Sequence, residues 1–351
     1  MNRNTNDIVH LLPGPVEIED QVIDEFQRRP VSHRSDEFNS DFQCLRAKLS
    51  HLVNSKYTEV LSGSGTLANE AVAAHLSLNA EQGLILYNGE FGERILSQAN
   101  RYNLKFFTWS VSWGEPFSYQ ELNEFVEKNR QIKWIWAVHS ETSTGVLNDL
   151  DTLKEMCLSR NIKLCLDCIS SIGIVPVNLN NVYLASCSSG KALCSFPGLS
   201  MVFYNHEIAP SPHIPKYLDL GYYGSADGIP YTISSNLVYA LTKAVESLEK
   251  QGNIYSSIEK NSAIIREGLI QTNIRIINAA LTSSPAIVTI ELPYQINSVE
   301  FGDDLKKRNC LISYQSCYLV KRNWIQTFIT RNTTREKIIR FLEIVNSKLE
   351  A

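Results

Sequence analysis

Cysteine is scarce in this chain: 8 residues in 351, too few for a disulfide scaffold. Cys165 and Cys168 form a C-x-x-C, but Leu166 and Asp167 lie between them inside an apolar run. That context reads as core thiols on a buried strand rather than a redox or zinc pair, and no metal site is expected. Basic residues are not in excess. Lys plus Arg number 33 against 37 Asp plus Glu, a net charge of -4, so neither a nucleic-acid partner nor a charged tail is expected. There is no apolar run of about 18 residues, so no membrane span is expected. Met1–Asp7 is polar and has no apolar h-region; a secretory signal is not expected, and the cytoplasm is the expected compartment. Internal repeats and low-complexity segments are also missing. What the chain does have is 44% hydrophobic and 20% charged residues, a balance that excludes disorder as the main state. Its length fits two domains, or one large domain with an appendage.

Along the chain, residues 1–18 read as an arm, with Pro13-Gly14-Pro15 forcing an extended or turning path. Helical spacing runs over 19–27 and 36–53. Short apolar runs then alternate with helical stretches. Strands are expected at 59–61, 83–87, 105–109, 133–138, 163–166, 183–186 and 199–204; helices are expected at 66–78, 91–102, 119–129 and 150–160. This alternation predicts an α/β fold with a mainly parallel sheet and helices on both faces. After a Pro-, Tyr- and Gly-rich loop at 210–230, a long helix is expected at 235–250. A smaller α+β unit should follow, with a strand at 286–292 and a closing helix at 334–349. The division is therefore an arm (1–18), a large domain (19–250) and a small domain (251–351).

Three features carry chemistry. Ser62-Gly63-Ser64-Gly65-Thr66 follows a strand and opens a helix. Free N–H groups and the positive end of the helix dipole there suit an anion, most often phosphate. It is not a P-loop and not G-x-G-x-x-G, and alone it reads equally as a tight turn. Asp167 ends an apolar strand, where α/β sheets put their ligands. A buried carboxylate needs a positive partner, such as a protonated heterocyclic nitrogen; alone, Asp167 could as easily cap a helix. Lys191 follows Ser188-Ser189-Gly190 among apolar neighbours. Desolvation would make its amine nucleophilic toward an aldehyde, although a loop lysine is usually a solvated cation. In this order, a phosphate cradle, a strand-end Asp and a loop Lys are what pyridoxal 5′-phosphate requires. The Lys forms the Schiff base, the Asp keeps the pyridine nitrogen protonated and the cradle anchors the phosphate.

Further motifs extend the pattern. They are Pro13-Gly14-Pro15, Ser32-His33-Arg34-Ser35-Asp36-Glu37-Phe38, Gly63-Ser64-Gly65-Thr66, Asn88-Gly89-Glu90-Phe91-Gly92-Glu93-Arg94 and His139-Ser140-Glu141-Thr142-Ser143-Thr144-Gly145. Asp167 with Ser170-Ser171, and Ser189-Gly190-Lys191 with Pro197-Gly198, complete the series. In this order they resemble the class V aminotransferases of the fold-type I pyridoxal phosphate enzymes. The nearest branches are the alanine/serine–glyoxylate and the 2-aminoethylphosphonate–pyruvate aminotransferases. The resemblance covers nearly the whole chain. It implies a large domain built on a seven-stranded sheet sandwiched by helices, a small C-terminal domain and a homodimer with shared active sites. By position it assigns Lys191 and Asp167 to catalysis. Ser64, Gly65, Thr66 and Ser189 would hold the phosphate end, Phe91 would stack on the ring, Ile169 would pack beneath it and Thr142 would meet its phenolic oxygen. Thr232 would reach the phosphate from the neighbouring subunit.

The sequence departs from the family in three places. Thr66 stands where the glyoxylate branch often carries His, and the phosphonate branch carries Thr there, as here. Gly190 stands where the two branches carry Gln or Asn before the Lys; Ser188 or Ser189 is the candidate substitute. Ile325, in Asn323-Trp324-Ile325-Gln326, stands where an Arg usually forks around the substrate carboxylate. Arg331, Arg322 and Arg34 are the candidate replacements. The expected activity is amino transfer between a small amino donor and a 2-oxo acid or aldehyde through Lys191. A lyase, decarboxylase or β/γ-substitution enzyme is the alternative that the missing Arg opens; a non-catalytic protein on the same fold would be expected to lack Lys191 or Asp167. Asn332-Thr333-Thr334 fits a glycosylation acceptor, with no secretory signal to support its use.

Overall fold

The computed structural model describes residues 8–270, 274–278 and 282–349. Its centre is a seven-stranded sheet: β1 (Tyr57–Ser62), β2 (Gln82–Tyr87), β3 (Lys105–Ser110), β4 (Ile132–Val138), β5 (Lys163–Asp167), β6 (Leu184–Ser188) and β7 (Leu199–Tyr204). The spatial order is β1-β7-β6-β5-β4-β2-β3. Parallel pairing joins β3, β2, β4, β5 and β6; β7 alone runs against its neighbours, inserted between β6 and β1. The inner strands are buried on both faces, which is why β4 and β7 read as nearly continuous apolar runs. All seven expected strands are present, with no end shifted by more than two residues. Helices Gly65–Ser77, Glu90–Arg101, Tyr119–Lys128 and Leu150–Leu158 fill the connections. The polar residues before them set several starts: Ser35, Ser118, Asp149 and Ser234 each accept a backbone N–H in the first turn of the helix they precede.

Residues 274 onward build a three-stranded antiparallel sheet from Arg275–Ile276, Ile287–Glu291 and Trp324–Phe328. Helices Ile254–Ile270, Ser298–Lys307 and Arg335–Leu349 accompany it. The arm belongs partly to this unit. Val9–His10 pairs in parallel with Cys310–Leu311, and Leu11 accepts from the Phe328 amide. The arm then turns back toward the large sheet and brings Gly14 against Lys191: a Cβ on Gly14 would lie 3.2 Å from Nζ.

Candidate active site

The carboxyl ends of β1, β4, β5 and β6 converge on a cavity of about 540 Å³, where a largely parallel sheet places its ligands. One end is formed by the turn into helix Gly65–Ser77. Ser64 is extended (φ -83°, ψ 168°) and its side chain does not cap the helix, so the first helical N–H groups are left to a ligand. The loop rests on Ile169: a Cβ at Gly65 would fall 2.5 Å from Ile169 Cδ1, so glycine is what permits this approach. Gln98 braces the loop by donating to the Thr66 carbonyl at 3.2 Å.

Asp167 and Lys191 also line the cavity. The Asp167 carboxylate is buried, which pushes its protonation upward. A hydrogen bond from Asn69 and one from the Ile169 amide oppose that shift, as does the charge of Lys191. Asn69 Nδ2 donates to Oδ2 at 2.8 Å, and the Ile169 N–H donates to Oδ1 at 2.9 Å. Burial pulls the Lys191 amine down to about 8; Asp167 works against the shift and Arg94 adds to it.

Phe91 and Thr142 form further wall. Phe91 is fixed from behind by Glu141, a fully buried carboxylate. Glu141 accepts from the N–H groups of Phe91 (3.3 Å), Gly92 (3.0 Å) and Ser143 (3.0 Å) and from Ser143 Oγ (2.5 Å). It thereby caps helix Glu90–Arg101, whose N-cap Gly89 has no side chain to do so. Thr142 Oγ1 donates to Ser170 Oγ at 2.6 Å. Its carbonyl accepts from Gln326 Nε2 at 2.5 Å, which ties the small sheet to this wall.

Of the residues expected at the site, Ser64, Gly65, Thr66, Phe91, Thr142, Asp167, Ile169 and Lys191 all line this one cavity. Ser189 does not. Its hydroxyl donates to the carbonyls of Phe196 (2.6 Å) and Leu199 (3.0 Å), bracing the turn behind Lys191, and Ser188 takes the wall instead. Thr232 is exposed and lies outside this chain's cavity. Gly190 has a packing reason: a Cβ there would sit 2.8 Å from Pro197 Cα, so a Gln or Asn could not be held without moving that backbone.

Ile325 is fully buried and pairs with Ile290. Neither proposed arginine from the same region replaces the missing fork. Arg331 is enclosed, pairs with Glu19 at 3.0 Å and donates to the carbonyls of Leu193 and Ala244. Arg322 stacks over Trp113 at 3.6 Å. Arg34 is exposed. Among the described residues, Arg94 is the one arginine on the cavity wall. It was passed over in the sequence as part of a motif, and its spacing of three from Phe91 on one helix was the available signal. Asn69 was also missed, although it is a lone amide in an Ala- and Val-rich helix, four residues after Gly65.

The aminotransferase class-V family profile matches residues 23–218. A 2-aminoethylphosphonate–pyruvate transaminase from Lysinibacillus sphaericus is 28% identical over 319 residues, 86% of this chain and 87% of that one. A protein from a Synechococcus strain named soluble hydrogenase, small subunit, is 28% identical over 313 residues, 85% and 81% of the two chains. The solved alanine–glyoxylate aminotransferase of a Nostoc species superposes with a TM-score of 0.87 at 25% identity, over 99% of this chain and 96% of that one. With a match that takes in more than half the chain and every strand of the central sheet, the protein belongs to the class V aminotransferases.

Proposed function

We propose that the chain transfers an amino group between a small amino donor, an amino acid or aminoalkyl compound, and a 2-oxo acid or aldehyde. Pyridoxal 5′-phosphate would be held in the 540 Å³ cavity. One observation carries this reading: an uncapped helix start, a buried carboxylate and a half-buried amine of lowered basicity open onto the same cavity. The donor set fits the group. The uncapped turn at Ser64-Gly65 leaves N–H donors free, which suits a phosphate; Asp167 suits a protonated ring nitrogen.

When bound, the group supplies an aldehyde that takes up amines and a protonated ring that withdraws electrons from the substrate carbon. Lys191 Nζ would hold the group covalently until an amino donor displaces it. Once freed, Nζ would take a proton from the substrate Cα as general base and give it up again as general acid. Phe91 would keep the ring flat against the wall and Ile169 would support its other face. Ser64, Gly65, Thr66 and Ser188 would hold the phosphate, and Thr232 from a second copy of the chain would complete that end. No helix among the described residues is long and apolar enough to cross a membrane, and a cytoplasmic homodimer is part of this proposal.

The test is an absorbance scan of purified protein loaded with pyridoxal phosphate. A visible band should bleach with a donor and return with a 2-oxo acid or aldehyde. Aminoalkylphosphonates with pyruvate, and amino acids with glyoxylate, are the first pairs to try, given the relatives' names. Lys191→Ala should abolish turnover; turnover that survives this change would end the assignment.

A further inference from the structure

We propose that Asn69 is a positioning residue for the cofactor: its amide orients the Asp167 carboxylate and keeps that carboxylate charged for the ring nitrogen. This rests on the reading of the cavity as a pyridoxal phosphate site and adds a residue to it.

Asn69 lies in helix Gly65–Ser77, where its neighbours Ala68, Ala71, Val72, Ala73 and Ala74 are all buried. A lone amide in such a helix costs free energy unless its hydrogen bonds are made. They are made on both sides. Nδ2 donates to Asp167 Oδ2 at 2.8 Å, and Oδ1 accepts from Ser186 Oγ at 2.6 Å. The carboxylate, which can only accept, fixes the sense of the amide, and the Ser186 hydroxyl satisfies its other side. Turned the other way, the amide would put its oxygen against the carboxylate and its NH₂ toward the Ser186 hydroxyl. Ser186 is buried on β6, beside Asp167 on β5 in the paired register. Asn69 thus comes from the helix packed on the sheet and Ser186 from the strand next door, and the chain of donors from Ser186 through Asn69 ends on one carboxylate oxygen.

The carboxylate needs this support because it is enclosed. A buried Asp without donors takes up a proton, and a neutral acid cannot retain a protonated nitrogen. The other groups facing it are Lys191, which favours its charge, and the thiols Cys168 and Cys187. Among the described residues, the Ile169 N–H alone shares the donor role with Asn69. The geometry also links the two ends of the site. The helix whose first turn forms the anion cradle carries Asn69 one turn later, so phosphate anchoring and ring-nitrogen protonation are set by one rigid element.

The experiment uses enzyme loaded with pyridoxal phosphate labelled with ¹⁵N in the ring. The readouts are the ring-nitrogen chemical shift, the cofactor dissociation constant and the melting temperature. Asn69→Leu should move the ring nitrogen toward its neutral shift and weaken cofactor binding about tenfold to a hundredfold, the range for a hydrogen bond to a charged group. Ser186→Ala keeps the amide but removes the hydrogen bond that holds its oxygen; it should move both readouts in the same direction by less. In an Asp167→Asn background, Asn69→Leu should leave the ring-nitrogen shift where Asp167→Asn alone puts it. Wild-type ring-nitrogen shifts in both single variants would overturn the proposal, as would equal effects of Asn69→Leu with and without Asp167. If Asn69→Leu fails to fold, the Ser186→Ala shift decides. Wild-type protein that takes up no cofactor overturns the underlying site reading instead, a result separate from any of these.

Discussion

Lys191 shows how two opposing forces set a nucleophile. Enclosure removes water from the ammonium and favours the neutral amine; Asp167 across the cavity favours the ammonium; Arg94 again favours the amine. Enclosure wins, and the group titrates at about 8 rather than at the ordinary lysine value. The neutral amine is the form that attacks an aldehyde. Cofactor-free protein mixed with pyridoxal phosphate should therefore react faster as pH rises, with the midpoint near 8 and a plateau above it. Asp167→Asn removes the charge that favours the ammonium, so its midpoint should move to lower pH. Stopped-flow absorbance across a pH series reads both. A midpoint at the unperturbed lysine value would show that the amine is solvated, and a midpoint that Asp167→Asn leaves in place would show that the two groups do not interact.

At the scale of elements, helix Glu90–Arg101 illustrates how a remote residue sets the site. Its N-terminus has Gly89 for a cap, and the missing acceptor is supplied by Glu141 from the segment after β4. Glu141→Gln replaces one accepting oxygen with an NH₂ among N–H donors, and should destabilise the fold by about 1–3 kcal/mol. Cofactor binding should weaken as well, because Phe91 lies in the first turn of that helix. Urea unfolding with a cofactor titration checks this; an unchanged midpoint would mean that the carboxylate does not hold the helix.

The same helix marks what the sequence could reveal. Local signals predicted its span and the seven strands, because turn residues and apolar periodicity are written into consecutive positions. The residues gathered at the cavity were legible for the same reason: each follows a strand end. Asn69, Glu141 and Gln326 act across more than 20 residues of chain through hydrogen bonds to other elements, and nothing in their own neighbours announces those partners. Helix Ile254–Ile270 was not foreseen. Its apolar residues Ile254, Ile258, Ile265 and Leu269 keep helical spacing, but Ser and Asn residues dilute the pattern. Ser189 misled because motif position names a residue without naming which way its hydroxyl turns.

At the scale of the whole molecule, several hydrogen bonds tie the small unit to the site. Gln326 binds the Thr142 carbonyl, and Arg331 joins Glu19, just after the arm, to the turn after Lys191. The residues lining the cavity all come together within one chain, and Thr232, expected at the phosphate end, is exposed outside it. If a two-fold dimer completes the phosphate end, the deficit is reciprocal, and two different defects can correct one another. Thr232→Glu places a negative charge where a phosphate would lie; alone, it should weaken cofactor binding in both sites of its dimer. Lys191→Ala removes the nucleophile but presents a normal Thr232. In a hybrid of the two, one site has neither intact residue and the other has both. Random pairing of equal amounts makes about half the dimers hybrid, so about one quarter of all sites should work. The co-refolded mixture should then turn over at about a quarter of the wild-type rate, while each parent alone is impaired. A mixture no better than the sum of its parents, with Thr232→Glu fully active by itself, would mean that one chain holds the whole site.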